Sequence, residues 1–236
     1  MKRIIVWLSV LCLAACMLTG CGKDDSTGDE TTKKSNTTDE NKDTEEEKDA
    51  ADQKENGKDS VLTEENMEEV LSGKHHVEIV IKDQGTIKAE LDADQAPVTV
   101  TNFINLAQEG FYDGLTFHRI IDGFMMQGGD PLGNGTGGAG NDIKGEFSSN
   151  GVENTISHVR GTLSMARASE PDSGSSQFFI VQQDSTYLDG EYAAFGTVTE
   201  GMEIVDSICE NAEVTDQNGT VKSGTQPVIE TIRVID

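Results

Sequence analysis

The chain has 236 residues, with 43 Asp and Glu against 18 Lys and Arg, a formal net charge of −25. From Lys74 onward there are 25 acidic and 9 basic residues, so this part alone carries about −16. That balance argues against nucleic acid and anionic membrane surfaces as partners, and suits solubility or basic, unfolded chains.

Met1-Lys2-Arg3 precedes an apolar run from Ile4 to Leu18, then Gly20-Cys21-Gly22-Lys23. A basic start, a short apolar stretch and a small residue at its end read as a signal peptide over residues 1–20. The run is shorter than the ~20 residues that span a bilayer as a helix. Leu18-Thr19-Gly20-Cys21 resembles a bacterial lipobox, in which a cysteine carries lipid; Leu13-Ala14-Ala15-Cys16 fits the same pattern. Cys21 is favoured because polar residues follow it, whereas Cys16 would leave Met17 and Leu18 on the mature end. The expected location is therefore outside the cytoplasm, on the cell membrane through a lipid anchor. Cys209 is the one cysteine downstream of this region, so no bridge forms within the folded part. Its apolar helical setting predicts a packing role.

Residues 21–60 are Asp, Glu, Lys, Thr, Ser and Asn with almost no apolar side chain. Such a stretch cannot bury enough surface to offset the entropy of ordering, and it is expected to be an acidic disordered tether. Asp39-x-Asn41-x-Asp43 begins like a calcium loop but lacks its glycine and closing glutamate. Leu62, Met67, Val70 and Leu71 are spaced for a short helix over residues 61–73, ending at Gly73.

The remaining residues, 74–236, are the size of one domain. Val77–Ile81 and Thr86–Leu91 flank Asp83-Gln84-Gly85 as a hairpin. Pro97 opens a helix with Val100, Phe103, Ile104 and Ala107 on one face, and Gly110 closes it. Further strand-like runs cover Thr116–Ile121, Phe124–Gln127, Gly161–Met165, Phe178–Gln182, Phe195–Val198 and Val228–Val234. A second helix carries Met202, Val205, Ile208 and Cys209. Many short strands, glycine-rich links and two helices point to an all-β barrel or sandwich.

Two blocks carry the chemistry. The first is Phe117-His118-Arg119-Ile120-Ile121 with Gly123-Phe124-Met125-Met126-Gln127-Gly128-Gly129-Asp130; the second is Gly174-Ser175-Ser176-Gln177-Phe178-Phe179-Ile180. They bring a permanent cation, two carboxamides and large apolar side chains, with neither a nucleophile–base pair nor a metal cluster. That inventory suits rotation of a bond more than its cleavage. These residues resemble the cyclophilin family of peptidyl-prolyl cis-trans isomerases, over about Val77 to Arg233. The resemblance implies a closed eight-stranded antiparallel barrel with two capping helices, X-Pro isomerisation in proline-containing unfolded or exported polypeptides, no cofactor and no metal. A monomer is expected.

Roles follow from chemistry and from the resemblance together. Arg119, always charged and rigid in its fork, can donate to an imide nitrogen as it becomes tetrahedral. Gln127 can orient Arg119 and hold substrate backbone, and Gln177 can bond the peptide near the proline. The resemblance implies that Phe124, Met125, Phe179 and Leu188 line the proline slot, that His118 shapes the pocket, and that Ala166 and Arg167 meet the peptide through main chain. Arg167 stands where the family usually has asparagine. Tyr187 stands for a frequent tryptophan and Tyr192 for a frequent histidine, which puts macrocycle binding of the cyclosporin type in doubt but not isomerisation.

Competing readings are weaker. His118 as the base of a hydrolase lacks a nucleophile motif, Gly-x-Ser-x-Gly being absent. His75, His76 and His158 offer no metal spacing. Gly133-x-Gly135-x-x-Gly138 matches a dinucleotide fingerprint, yet the residues after it do not begin a helix, so it reads as a loop. The principal alternative is a non-catalytic module that holds proline-containing segments on the same barrel. Arg119 together with Gln127 favours the enzyme, because a pure binder needs no donor to the imide nitrogen.

Overall fold

The computed structural model describes residues 61–236. The signal segment, Cys16, Cys21 and the acidic tether lie outside the described residues. Eight strands and two helices follow in the order β1 (Lys74–Ile81), β2 (Gly85–Asp92), α1 (Pro97–Gln108), β3 (Thr116–Ile121), β4 (Met125–Asp130), β5 (Thr162–Met165), β6 (Phe178–Val181), β7 (Ala194–Glu200), α2 (Met202–Asn211) and β8 (Ile229–Val234). All pairings are antiparallel, in the order β3-β4-β6-β5-β7-β2-β1-β8.

Alternation decides which face is core. Val77, Ile79 and Ile81 on β1 face inward beside Ile87, Ala89 and Leu91 on β2, with Ile79 opposite Ile87. Phe103, Tyr112, Phe117, Phe178 and Phe195 meet in the middle, Phe103 lying edge-on to Phe178 at 5.2 Å between centroids. Helix α1 contributes Val98, Val100, Phe103, Ile104 and Ala107, and α2 contributes Val205, Ile208 and Cys209 to the same core. Cys209 is free and buried, and burial pushes its thiol up to about 12, so it packs and does not react.

The eight strands make a curled sheet, a half-barrel. Between its outer strands β3 and β8 the pairing is one isolated bridge, Thr116 with Val228, and not a continuous ladder. The expected closed barrel therefore stands here as the coarser curl.

Helix α1 is capped from a distance. Ala96 at its start offers no side-chain acceptor, and the buried carboxylate of Glu146 instead accepts from the N–H groups of Val98 (2.9 Å) and Thr99 (2.8 Å). Residues 61–73 differ from expectation, forming a strap without a helix. The Asn66 side chain accepts from Thr63 N–H and donates to the Val61 carbonyl, satisfying backbone groups that a helix would otherwise use. Leu62 pairs with the main chain of Asp142 and Lys144. Leu62, Met67 and Leu71 of the strap pack against the core.

Candidate active site

A bulge builds the site. On β3, Phe117 pairs with Gly128 and Arg119 with Gln127, so His118 is an extra residue in the ladder. The bulge lets Phe117 and Ile120, three apart, both enter the core while Arg119 faces the other side. On β4 and β6 simple alternation does the same work: Met126, Phe178 and Ile180 join the main core, and Met125, Phe179 and Val181 form a second, smaller apolar cluster. Ile121, Phe124, Ala166, Leu188 and Tyr192 pack against that cluster. Gln127 lies opposite Arg119 on one side and Phe179 on the other.

The guanidinium of Arg119 is held at two points. Nη1 donates to Oε1 of Gln127 (3.1 Å), and Nε donates to the carbonyl of Asn218 (2.9 Å). Nη1 also lies 3.8 Å from the sulfur of Met125, while Nη2 has no hydrogen bond among the described residues. Gln127 Nε2 donates to Gln177 Oε1 (2.9 Å), and Gln177 Nε2 donates to the Gly137 carbonyl (2.8 Å). Each amide thus spends one end on its neighbour, which fixes the orientation of both.

Two depressions meet along this row. One, of about 190 Å³, is lined by Arg119, Phe124, Met125, Gln127, Ala166, Arg167, Phe179, Leu188 and Tyr192. It is smaller than the roughly 300–1,000 Å³ of small-molecule pockets and suits a single apolar side chain with a cation at its rim. The other, of about 510 Å³, runs from Gln127 and Gln177 past Gly135–Gly138 to Ser173 and Ser175. Ala166 and Arg167 border both.

Of the twelve site residues expected from the sequence, nine line the smaller depression and Gln177 lines the larger. Two differ. His118 borders neither; it is buried beneath the glycine loop, and both ring nitrogens lack a partner among the described residues. Burial pushes its pKa down, so it is neutral and serves the wall, not the cleft. Tyr187 is 69% exposed and stands outside the depression with its ring 6.0 Å from that of Phe124. Arg167 is stacked between the rings of Phe147 (5.2 Å) and Tyr192 (4.8 Å), its Nε donating to the Glu191 carbonyl (3.0 Å).

Outside the two blocks the structure holds a buried chain of polar side chains. Ser164, His158 and Asp189 form a chain: His158 Nδ1 donates to Asp189 Oδ1 (2.8 Å), and Nε2 accepts from Ser164 Oγ (2.9 Å). The carboxylate can only accept, which fixes this tautomer. Ser164 and His158 are fully buried, so the hydroxyl reaches no substrate and the chain is no hydrolytic triad. Spacing alone could not show it, because the three residues lie on separate segments. Among the described residues no cluster of His, Cys, Asp and Glu could hold a metal ion.

Comparison with known proteins agrees with this geometry. The family model for cyclophilin type peptidyl-prolyl cis-trans isomerases matches residues 76–234. A peptidyl-prolyl cis-trans isomerase of Helicobacter pylori is 45% identical over 152 residues, 64% of this chain and 90% of that protein. Peptidyl-prolyl cis-trans isomerase B of Bacillus subtilis is 51% identical over 124 residues, covering 52% and 83%. Among solved structures, a cyclophilin-type isomerase of Cryptosporidium parvum matches with a TM-score of 0.61 at 32% identity, over 70% of this chain and 99% of that one. The same protein solved in the presence of the dipeptide Ala-Pro matches at 0.60 and 34%, over 68% and 99%. The chain belongs to the cyclophilin family of peptidyl-prolyl cis-trans isomerases.

Proposed function

We propose that this isomerase acts outside the cytoplasmic membrane on X-Pro bonds of exported, incompletely folded proteins, held to the membrane by lipid on Cys21. What carries the catalytic part is the doubly anchored Arg119 at the rim of the apolar slot. The X-Pro bond resists rotation by ~18–20 kcal/mol because its C–N bond has partial double-bond character. As it twists, the imide nitrogen loses conjugation and becomes a hydrogen-bond acceptor. A donor that meets the nitrogen only in this twisted form lowers the barrier without tightening the ground state. With the proline ring among Phe124, Met125, Phe179 and Leu188, the unbonded Nη2 of Arg119 is the group available for that donation. Gln127 keeps the guanidinium aimed, and Gln177 with the main chain at Ala166 holds the flanking peptide. No step needs a cofactor.

The location rests on sequence: a basic start, a short apolar run and Leu18-Thr19-Gly20-Cys21. No described helix is long and apolar enough to cross a membrane. A monomer fits a groove built wholly from one chain. Closure of the curled sheet into a barrel is supported by Phe117 N–H to the Pro227 carbonyl (2.9 Å) and Ile229 N–H to the Leu115 carbonyl (2.8 Å) beside the Thr116–Val228 bridge. The activity is tested by protease-coupled isomerisation of a short X-Pro peptide, and the site by Arg119→Ala in the same assay. A folded Arg119→Ala protein with unchanged turnover would remove Arg119 from the mechanism.

A further inference from the structure

Strand β3 stands at one end of the sheet order, and the turn Asp216–Thr220 covers part of its outer edge. Ile120 N–H donates to the Gly219 carbonyl (2.8 Å) and Val221 N–H donates to the His118 carbonyl (2.9 Å). Between these two main-chain bonds, Arg119 Nε donates to the carbonyl of Asn218 (2.9 Å). The turn therefore touches the proposed catalytic side chain and the backbone on both sides of it.

Asp216 sets the shape of this turn. Its Oδ1 accepts from the N–H groups of Asn218 (2.9 Å) and Thr220 (3.1 Å), and Oδ2 accepts from the Thr220 hydroxyl (2.8 Å). Below the turn, Val214 bridges Val221, Thr215 N–H donates to the Thr220 carbonyl (2.8 Å) and Lys222 pairs with Glu213 (2.9 Å). Gly219 sits at φ +81°, and a Cβ there would collide with the Ile120 carbonyl oxygen and stand 2.5 Å from Ile121 Cγ1. Only glycine lets the turn approach β3 this closely.

We propose that the Asp216–Thr220 turn is a positioning element for catalysis, with Asp216 the residue that fixes the Asn218 carbonyl against Arg119 Nε. This rests on the reading of Arg119 as the transition-state donor. The guanidinium is planar, so its direction is set by how many points hold it. Gln127 alone fixes one nitrogen of the guanidinium and leaves the plane free to pivot about that bond. A second bond at Nε, on the other side of the fork, fixes the plane and hence the direction of Nη2. Asp216 is exposed and lines neither depression, so its replacement is expected to leave peptide affinity unchanged.

The test is a double-mutant cycle in the full chain, with an X-Pro peptide as substrate. Asp216→Ala is expected to lower kcat by roughly 10- to 100-fold, the scale of an ångström-sized misplacement of a reacting group, with peptide affinity unchanged by calorimetry. In an Arg119→Ala background the same change should lower the residual rate no further. Asp216→Asn, which keeps an oxygen acceptor, should recover much of the loss. Thr220→Val, which removes only the bond to Oδ2, is the second variant should Asp216→Ala fold poorly, and a smaller loss of the same kind is expected. The Arg119 Hε resonance should exchange with water faster in both. Unchanged kcat in folded variants, or an equal loss with and without Arg119, overturns the proposal. Low activity of Arg119→Ala beside normal activity of Asp216→Ala sinks this inference alone, while full activity of Arg119→Ala sinks the reading beneath it.

Discussion

The imidazole of His158 lies nearly parallel to the ring of Phe179, with centroids 6.1 Å apart and planes at 19°. Phe179 thus lines the smaller depression and also packs on an imidazole pinned by Asp189 and Ser164. Tyr192 meets it edge-on at 6.0 Å. Two ring contacts of this kind restrict the Phe179 side chain in the wall of that depression.

Replacing that ring is therefore expected to have two effects. Phe179→Ala should destabilise the domain by ~3–5 kcal/mol, the usual cost of truncating a buried phenylalanine, since only 5% of the residue is exposed. It should also weaken peptide binding. Chemical denaturation and calorimetry on the same preparation separate the two, and unchanged affinity in a folded variant would return Phe179 to the plain core.

Asp130 ties the glycine loop to the end of β4. Burial raises its carboxyl, but the N–H groups of Leu132, Asn134 and Gly135 outweigh that and hold it below the usual carboxylate range. Thr136 N–H donates to it as well (3.1 Å). Because the folded pKa is depressed, this stabilisation is present above the unfolded value and is lost as pH falls through the folded one. Asp130→Asn is expected to cost roughly 1.5–3 kcal/mol at neutral pH and to flatten the loss of stability below about pH 4. The loop carries the Gly137 carbonyl that accepts from Gln177, so peptide affinity should fall too. Identical acid-unfolding curves for the two proteins would contradict this.

The sequence was legible where alternation and local motifs govern. All eight strands and both long helices fall on apolar runs of the expected period, and Arg119, Gln127 and Phe179, which the family resemblance marks, stand in one cross-strand row. What escaped it depends on distant partners. A bulge at His118 changes the parity of β3, and no composition signal marks that extra residue. The remote cap from Glu146 joins residues 47 and 48 positions apart. The strap at 61–73 had helical spacing, but Asn66 and the pairing of Leu62 with Asp142 and Lys144 won locally. The turn at Asp216–Thr220 shows no apolar pattern, so its contact with Arg119 could be found only in three dimensions.

At the N-terminus the expectation concerns two cysteines. Stable anchoring needs at least two acyl chains, which the diacylglycerol of a lipobox cysteine supplies. Cys21→Ser should therefore release an active, soluble isomerase, and Cys16→Ser should leave the protein with the membrane fraction. Fractionation with mass spectrometry of the mature N-terminus reads both, and lipid found on Cys16 would reverse the assignment.

The central claim is that Arg119 lowers the rotational barrier by donating to the twisted imide nitrogen. Protease-coupled isomerisation of one X-Pro peptide by wild-type and Arg119→Ala protein measures it most directly. Loss of a single oriented transition-state donor typically costs about 100- to 1,000-fold, and a fall in kcat/KM of at least ~100-fold is expected, with peptide affinity and thermal unfolding nearly unchanged. Arg119 is half-buried at a groove and forms no part of the main core, so folding should survive. A folded Arg119→Ala protein that turns the peptide over at the wild-type rate would contradict the account.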